Sequence, residues 1–267
     1  MINRSTFAPS RIAAIAGVTL LSFAGSAAAL QVRVTIENLA PTHATLLTPA
    51  WVGFHDGSFD LYNLGEATSA SLERLAEDGN TAPLTATFGA SAGTGAQGTI
   101  GAPLLPGGVS SMVFDIDSNS DNSKFFSYAS MVIPSNDAFI ANGDATAFEL
   151  FDSNGHFQGA NFFVTGADVR DAGTEVNDES STNTAAFGQA TPDTGTTEGG
   201  VVTVHPGFLP AGSGGILDAE MFANANFKLD GFPIAQIQVS AVPLPPAVFL
   251  LGGALGALGF LRRRANK

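Results

Sequence analysis

Two stretches of this chain alternate strictly between polar and apolar positions. In residues 31–37, Gln31, Arg33, Thr35 and Glu37 are polar while Val32, Val34 and Ile36 are apolar. In residues 234–240, Ala235, Ile237 and Val239 fall on one side and Gln236, Gln238 and Ser240 on the other. A period of two marks a strand with one buried and one wet face, so the pattern predicts a first and a last strand that are neighbours in one sheet. Between them, residues 111–116, 125–133, 147–152 and 157–164 are β-branched or aromatic and bounded by Gly, Asn, Asp or Pro. Asn154-Gly155 lies between the last two and is the strongest hairpin signal in the chain. One helix is predicted over residues 69–78, with Ser69 as N-cap, Leu72, Leu75 and Ala76 on one side and Gly79 as the stop. Residues 191–200 and 211–215 read as loops rich in glycine, threonine and serine. Short strands, turn residues and one short helix predict an all-β fold, an antiparallel β-sandwich.

Both ends of the chain carry a different pattern. Arg4 and Arg11 precede an apolar run over residues 12–23, and Ala27, Ala28 and Ala29 close the segment. That order predicts a signal helix over residues 1–29 with a small-residue cleavage site, placing the mature start at Leu30. At the other end Val242-Pro243-Leu244-Pro245-Pro246 leads into an uncharged stretch over residues 247–261, then Arg262, Arg263, Arg264 and Lys267. By composition alone residues 242–267 are a hydrophobic helix that anchors in a membrane with its cations inside. The ordered parts resemble the bacterial PEP-CTERM sorting signals, in the variant beginning Val-Pro-Leu-Pro-Ala, with Pro246 in place of the alanine. The resemblance implies an inner-membrane exosortase that cuts the tail, so that membrane attachment is transient and the protein ends at the cell surface or in the extracellular matrix.

Residues 30–241 are the length of one large domain. They hold all 24 acidic residues against five basic ones (Arg33, Arg74, Lys124, Arg170 and Lys228), a net charge of −19 compared with −13 for the whole chain. Such a surface excludes nucleic acid and anionic lipid as partners, because phosphate binding needs clustered Lys and Arg. It favours divalent cations. With no cysteine there is neither a disulfide nor a thiolate metal site, and 21 phenylalanines are the expected source of the core.

The four histidines, His43, His55, His156 and His205, lack metal-ligand spacing and read as loop or surface residues. Ser213, in Gly212-Ser213-Gly214-Gly215, lacks the context of a nucleophile elbow. Asp115, Asp117, Asn119 and Asp121 occupy alternate positions, as oxygen ligands of a calcium loop would, yet no glycine stands at the sixth position and Tyr128 falls where a bidentate Glu is needed. That segment reads as a solvated turn or a cation loop. A second set is Asp137 after the strand ending at Ile133, with Asp171 and Glu175 after the strand ending near Val164. If both strands leave the sandwich at one edge, these carboxylates meet and repel unless a cation lies among them.

Four stretches resemble the spondin N-terminal domain in order and spacing. They are Thr48-Pro49-Ala50-Trp51-Val52-Gly53-Phe54-His55-Asp56, the helix that follows, Ser127-Tyr128-Ala129-Ser130-Met131-Val132-Ile133-Pro134-Ser135-Asn136-Asp137, and Asp171-Ala172-Gly173-Thr174-Glu175. The resemblance spans residues 31–239. It implies an antiparallel β-sandwich of adhesion and matrix proteins with calcium at one end, and Asp137, Asp171 and Glu175 as its ligands. Animal members carry Asp at the position of Glu175, an aromatic residue at that of Ala138, and cysteines absent here, so their integrin and lipopolysaccharide partners do not carry over. The expected function is a non-catalytic, calcium-stabilised module in adhesion or biofilm-matrix assembly, with an exopolysaccharide or a surface protein as ligand. Two other classes remain open: a secreted carbohydrate-active hydrolase using paired carboxylates, for which Trp51 and two tyrosines make a poor sugar platform, and a purely structural coat protein.

Overall fold

The computed structural model describes residues 29–243. The signal helix and the C-terminal hydrophobic helix expected from the sequence lie outside these residues except at their inner ends. Among the described residues no helix is long and apolar enough to cross a membrane. They contain eleven strands, β1 (Leu30–Asn38), β2 (Leu46–Leu47), β3 (Ala50–His55), β4 (Thr94–Ile100), β5 (Val109–Ile116), β6 (Phe125–Ile133), β7 (Ala138–Ala141), β8 (Ala160–Thr165), β9 (Arg170–Asp171), β10 (Thr203–Val204) and β11 (Pro233–Ala241), and two helices, α1 (Ala70–Asp78) and α2 (Ala82–Ala90). The strands form two antiparallel sheets. One has four strands in the order β5-β1-β11-β8; the other has seven, in the order β10-β9-β7-β6-β3-β4 with β2 paired to β6. The first and last strands are neighbours, as the alternation predicts, with Val34 opposite Val239 and Ile36 opposite Ile237.

The apolar side of the four-stranded sheet covers one face of the larger sheet. Val32, Val34 and Ile36 of β1 and Ile237 and Val239 of β11 share a buried cluster with Val52, Phe54, Phe126 and Ile140. The other face of the larger sheet is not wet. Trp51, Ala129 and Phe139 cluster there with Leu72, Leu75 and Ala76 of α1 and Leu84 and Phe88 of α2, and Trp51 meets Phe88 edge-on at 5.0 Å. Covered on both sides, β3 is buried at every position. A strand of that kind shows no alternation, which is why β3 escapes a search for period two.

Helix α1 begins and ends where the sequence places it. The Leu72 N–H donates to Ser69 Oγ at 3.3 Å, and Gly79, at φ 67°, donates its N–H to Leu75 O at 2.9 Å. Helix α2 is a correction to the single-helix expectation. Its threonines and Gly89 are poor helix formers, and it is held by burying Leu84 and Phe88, four residues apart, against the sheet. Residues 147–152 are also not a strand. The Asp152 carboxylate takes the N–H groups of Asn154 and His156 at 2.8 and 2.9 Å, so a side chain closes the turn and the Asn154-Gly155 hairpin shrinks to one bridge, Phe151 to Phe157. Gly159 at φ 67° then delays β8 until Ala160.

Phe54 is fully buried between the sheets, tilted against Phe114 at 5.4 Å and Phe126 at 5.7 Å. Phe54→Ala should cost about 3–5 kcal/mol of unfolding free energy, read as a lower denaturant midpoint with unchanged slope.

Candidate metal centre

Strand β6 ends at Ile133, and a cis Ile133–Pro134 bond leads into Ser135-Asn136-Asp137 ahead of β7. Ser135 holds this turn: its hydroxyl donates to Val132 O at 2.6 Å and accepts the Ala138 N–H at 3.1 Å. Asp137 is completely buried. Its Oδ2 accepts the Thr174 N–H at 2.8 Å, the Thr174 hydroxyl at 3.2 Å and the Glu175 N–H at 3.2 Å. Its Oδ1 is buried with no hydrogen-bond partner.

Asp171 reaches Asp137 by a route the sequence does not reveal. The strand before it, β8, belongs to the four-stranded sheet; a 3₁₀ turn, Gly166–Asp168, then carries the chain to β9, which pairs with β7 and sets Asp171 opposite Ala138. Asp171 Oδ1 accepts the Gly173 N–H at 2.7 Å. Gly173 has φ 68°, and a Cβ there would lie 2.6 Å from the backbone of Val201, so the turn requires glycine. The following N–H groups, of Thr174 and Glu175, are the ones that meet Asp137.

Asp171 Oδ2 accepts a hydrogen bond from Asn177 Nδ2, and Asn177 Oδ1 is 3.1 Å from His205 Nε2. Because His205 Nδ1 accepts the Gly207 N–H at 3.0 Å, the ring proton belongs on Nε2, which donates to Asn177. Burial, with Lys228 nearby, lowers the His205 pKa to about 4, keeping the ring neutral. Asn177 and His205 thus orient Asp171, a role that no spacing in the sequence signals.

Glu175 is 4% exposed; its Oε1 accepts the Gly195 N–H at 2.9 Å and its Oε2 is buried without a partner. The structure groups it with two acids absent from the sequence expectation. Ligand atoms of Glu77, Glu175 and Asp193 all lie within 4.8 Å of one another. Glu77 comes from the last turn of α1, and Asp193 from the loop over residues 191–200. That loop is tied down: the Asp193 N–H donates to Asp78 Oδ1 at 3.0 Å, and Asp193 Oδ2 pairs with Arg74 Nη1 at 2.8 Å.

The other sequence candidates stand apart from this centre. Asp115 stands in β5 and accepts from the Gln31 side chain of the neighbouring β1, while Asp117 caps the Asn119 N–H and Asp121 pairs with Lys124 at 2.7 Å in the exposed turn that follows. His43, His156 and Ser213 are exposed. His55 and His205 are buried, contrary to the surface reading. His55 accepts the Gly57 N–H on Nδ1 at 3.1 Å and bonds Ser127 Oγ through Nε2 at 2.8 Å, which satisfies both ring nitrogens within the core.

Burial, aided by Asp171, raises the Asp137 pKa to about 6. Burial raises Glu175 to about 7, with Glu77 as the largest charge acting on it, and raises Glu77 to about 7, with Glu73, Asp193 and Asp78 adding to the effect. A carboxyl whose pKa rises on folding supports the fold below its ordinary value and loses that support as pH climbs through the folded value. For Glu77 the window runs from 4.5 to about 7. His55 and His205, both lowered to about 4, act in the opposite direction over much of this window. The contrast between Glu77→Gln and the parent protein removes the histidines. In chelator, Glu77→Gln should melt with the parent near pH 4 and above it at pH 8, with the difference opening between these limits.

Comparison with known proteins covers the same region. No curated protein matches the chain. The Spondin_N family model matches residues 37–197, more than half of the chain and shorter than the span 31–239 expected from motif resemblance. The match contains Asp137, Asp171 and Glu175 together with Glu77 and Asp193, and this chain belongs to the Spondin_N family.

Proposed function

We propose that this protein is a secreted, non-catalytic spondin module whose acidic end binds calcium through Asp137, Asp171 and Glu175, and which acts outside the cell in adhesion or matrix assembly. The observation that carries this reading is a pair of buried carboxylate oxygens, Asp137 Oδ1 and Glu175 Oε2, that lack any hydrogen-bond partner. A buried polar atom without a partner costs about 1–3 kcal/mol, and more when it carries charge. A hard cation relieves that cost, and an all-carboxylate donor set suits calcium better than zinc or copper. Asp171, with both oxygens engaged by Gly173 and Asn177, keeps lone pairs for a third ligand in a fixed orientation. Calcium supplies charge neutralisation there, and the chain's own bonds hold the three carboxylates in place.

Residues 1–29 and the Val242-Pro243-Leu244-Pro245 tail support export, a transient inner-membrane stage and release by an exosortase. The net charge of −19 on residues 30–241 supports an exopolysaccharide or surface-protein ligand met through bridging cations, in preference to nucleic acid.

Calcium at a hundred times its dissociation constant should stabilise the parent protein by about 2.7 kcal/mol, seen as a rise in Tm that chelator reverses. Asp171→Asn should keep the parent's circular dichroism and show a smaller rise than the parent. Identical melting curves with calcium and with chelator in the parent would sink the assignment. Mass spectrometry of the exported protein should find a C-terminus upstream of Arg262; an intact Lys267 would show a retained tail.

A further inference from the structure

Glu175 feels two acidic neighbourhoods, that of Asp137 and that of Glu77. Glu77 and Glu175 are 3% and 4% exposed, and each buries an oxygen, Oε2 in both, with no hydrogen-bond partner. Asp193, which completes the group within 4.8 Å, has a side chain 66% exposed. Three separate segments therefore converge: the end of α1, the loop after β9 and the loop over residues 191–200.

Arg74 is the counterion of this group, and it is overcommitted. It pairs with Asp78, lies 2.8 Å from Asp193 and reaches Glu77 Oε2 only at 3.7 Å, beyond hydrogen-bond distance. Glu77 and Asp78 also occupy the last turn of α1, where the helix carbonyls add negative potential and no basic residue stands. The loop comes down onto the group through Gly195, where a Cβ would lie 2.2 Å from the Glu175 carboxylate.

We infer that Glu77, Glu175 and Asp193 form a second divalent-cation site, joined to the Asp137–Asp171 site through the shared Glu175 carboxylate. Asp193 is the open side of this site, where water or an oxygen of a bound partner completes the six to eight ligands that calcium takes. Among the described residues, the one cationic partner of Glu77, Asp78, Asp137, Asp171, Glu175 and Asp193 is the Arg74 guanidinium, which pairs with Glu77, Asp78 and Asp193. One divalent cation leaves that set three charges short of neutrality, and a second leaves it one short. The inference rests on the cation reading of this end of the molecule only through Glu175, so the two can fail separately.

Calcium alone, titrated calorimetrically into the chelator-stripped exported protein, should show two ions per chain. Glu77→Gln, a near-isosteric change that removes a buried repulsion, should bind one ion and weaken the lost step at least tenfold. Asp193→Asn, at an exposed position, should weaken the same step. Asp171→Asn should lose the other ion and keep this one. Overturning results are a single ion in the parent that Glu77→Gln keeps, a Glu77→Gln protein that titrates like the parent, as it would if Glu77 and Glu175 shared only a proton, or a single ion that Glu77→Gln and Asp171→Asn both abolish, which would make Glu77 a ligand of one common ion. If Asp171→Asn binds as the parent does while Glu77→Gln loses one ion, the Asp137–Asp171 reading falls and this site stands.

Discussion

The carboxylate of Asp137 links the rigid sheet to the acidic end of the molecule. Strand β9 has two residues, and the backbone beyond it has little ladder to hold it. Asp137 Oδ2 gathers three donors from Thr174 and Glu175 and so fastens that loop to the β6–β7 turn. Hydrogen bonds to a charged acceptor contribute about 1.5–3 kcal/mol each, which offsets part of the cost of burying the carboxylate. The same bonds fix the plane of the group, and with it the direction of the free Oδ1. Glu175 is positioned by the same act, since its own N–H is one of the donors. From Glu175 the constraint passes to Gly195 and the loop that carries Asp193.

Covered and uncovered sheet faces decide how much of this fold can be read in the sequence. Strands β1 and β11 announce themselves because one of their faces meets water. Strand β6, nine residues long and rich in large apolar side chains, is legible as a run. Strand β3 is covered by the second sheet on one side and by α1 and α2 on the other, so its polarity pattern carries no period. Gly53 within it lets Trp51 and Phe88 close over the backbone, and a Cβ there would come within 2.8 Å of both rings. Helix α2 exists because of that surface. Its own residues predict little, and the tertiary contact overrides propensity.

At the acidic end, the motif residues were visible and their partners were not. Asp137, Asp171 and Glu175 stand in short, distinctive strings whose turn chemistry is local: a serine that caps its own turn, and an aspartate that bonds the glycine two residues on. Glu77 sits in an ordinary amphipathic helix, one position past the Leu72, Leu75 and Ala76 stripe, where a solvent-facing glutamate is the natural expectation. It is buried where Glu175 and the loop over residues 191–200, about a hundred residues or more later in the chain, come down beside α1. Asn177 and His205 are likewise joined only in space, and His205 lies beyond residues 37–197, the stretch shared with the family.

The arrangement of charge on α1 favours the proposed binding role of this cluster over a purely structural one. A helix selected for stability alone would carry cations in its last turn, yet α1 ends in Glu77 and Asp78. Its one internal compensation places Arg74 before its acids at i+3 and i+4, the weaker order for such pairs. Burying Glu77 beside Glu175 then raises both to about 7, so that near neutral pH each is poised between holding a proton and giving it up to solvent, which frees the carboxylate to take a cation under the proposed reading. Apolar residues at these positions would pack without that penalty. Extracellular calcium modules work at dissociation constants on the order of 10⁻⁴–10⁻³ M, so the proposed reading asks for no more than a weak carboxylate site. Under the proposed two-ion reading, such a cluster burdens the empty protein and would tie the placement of the Asp193 loop to the cation content of the surroundings.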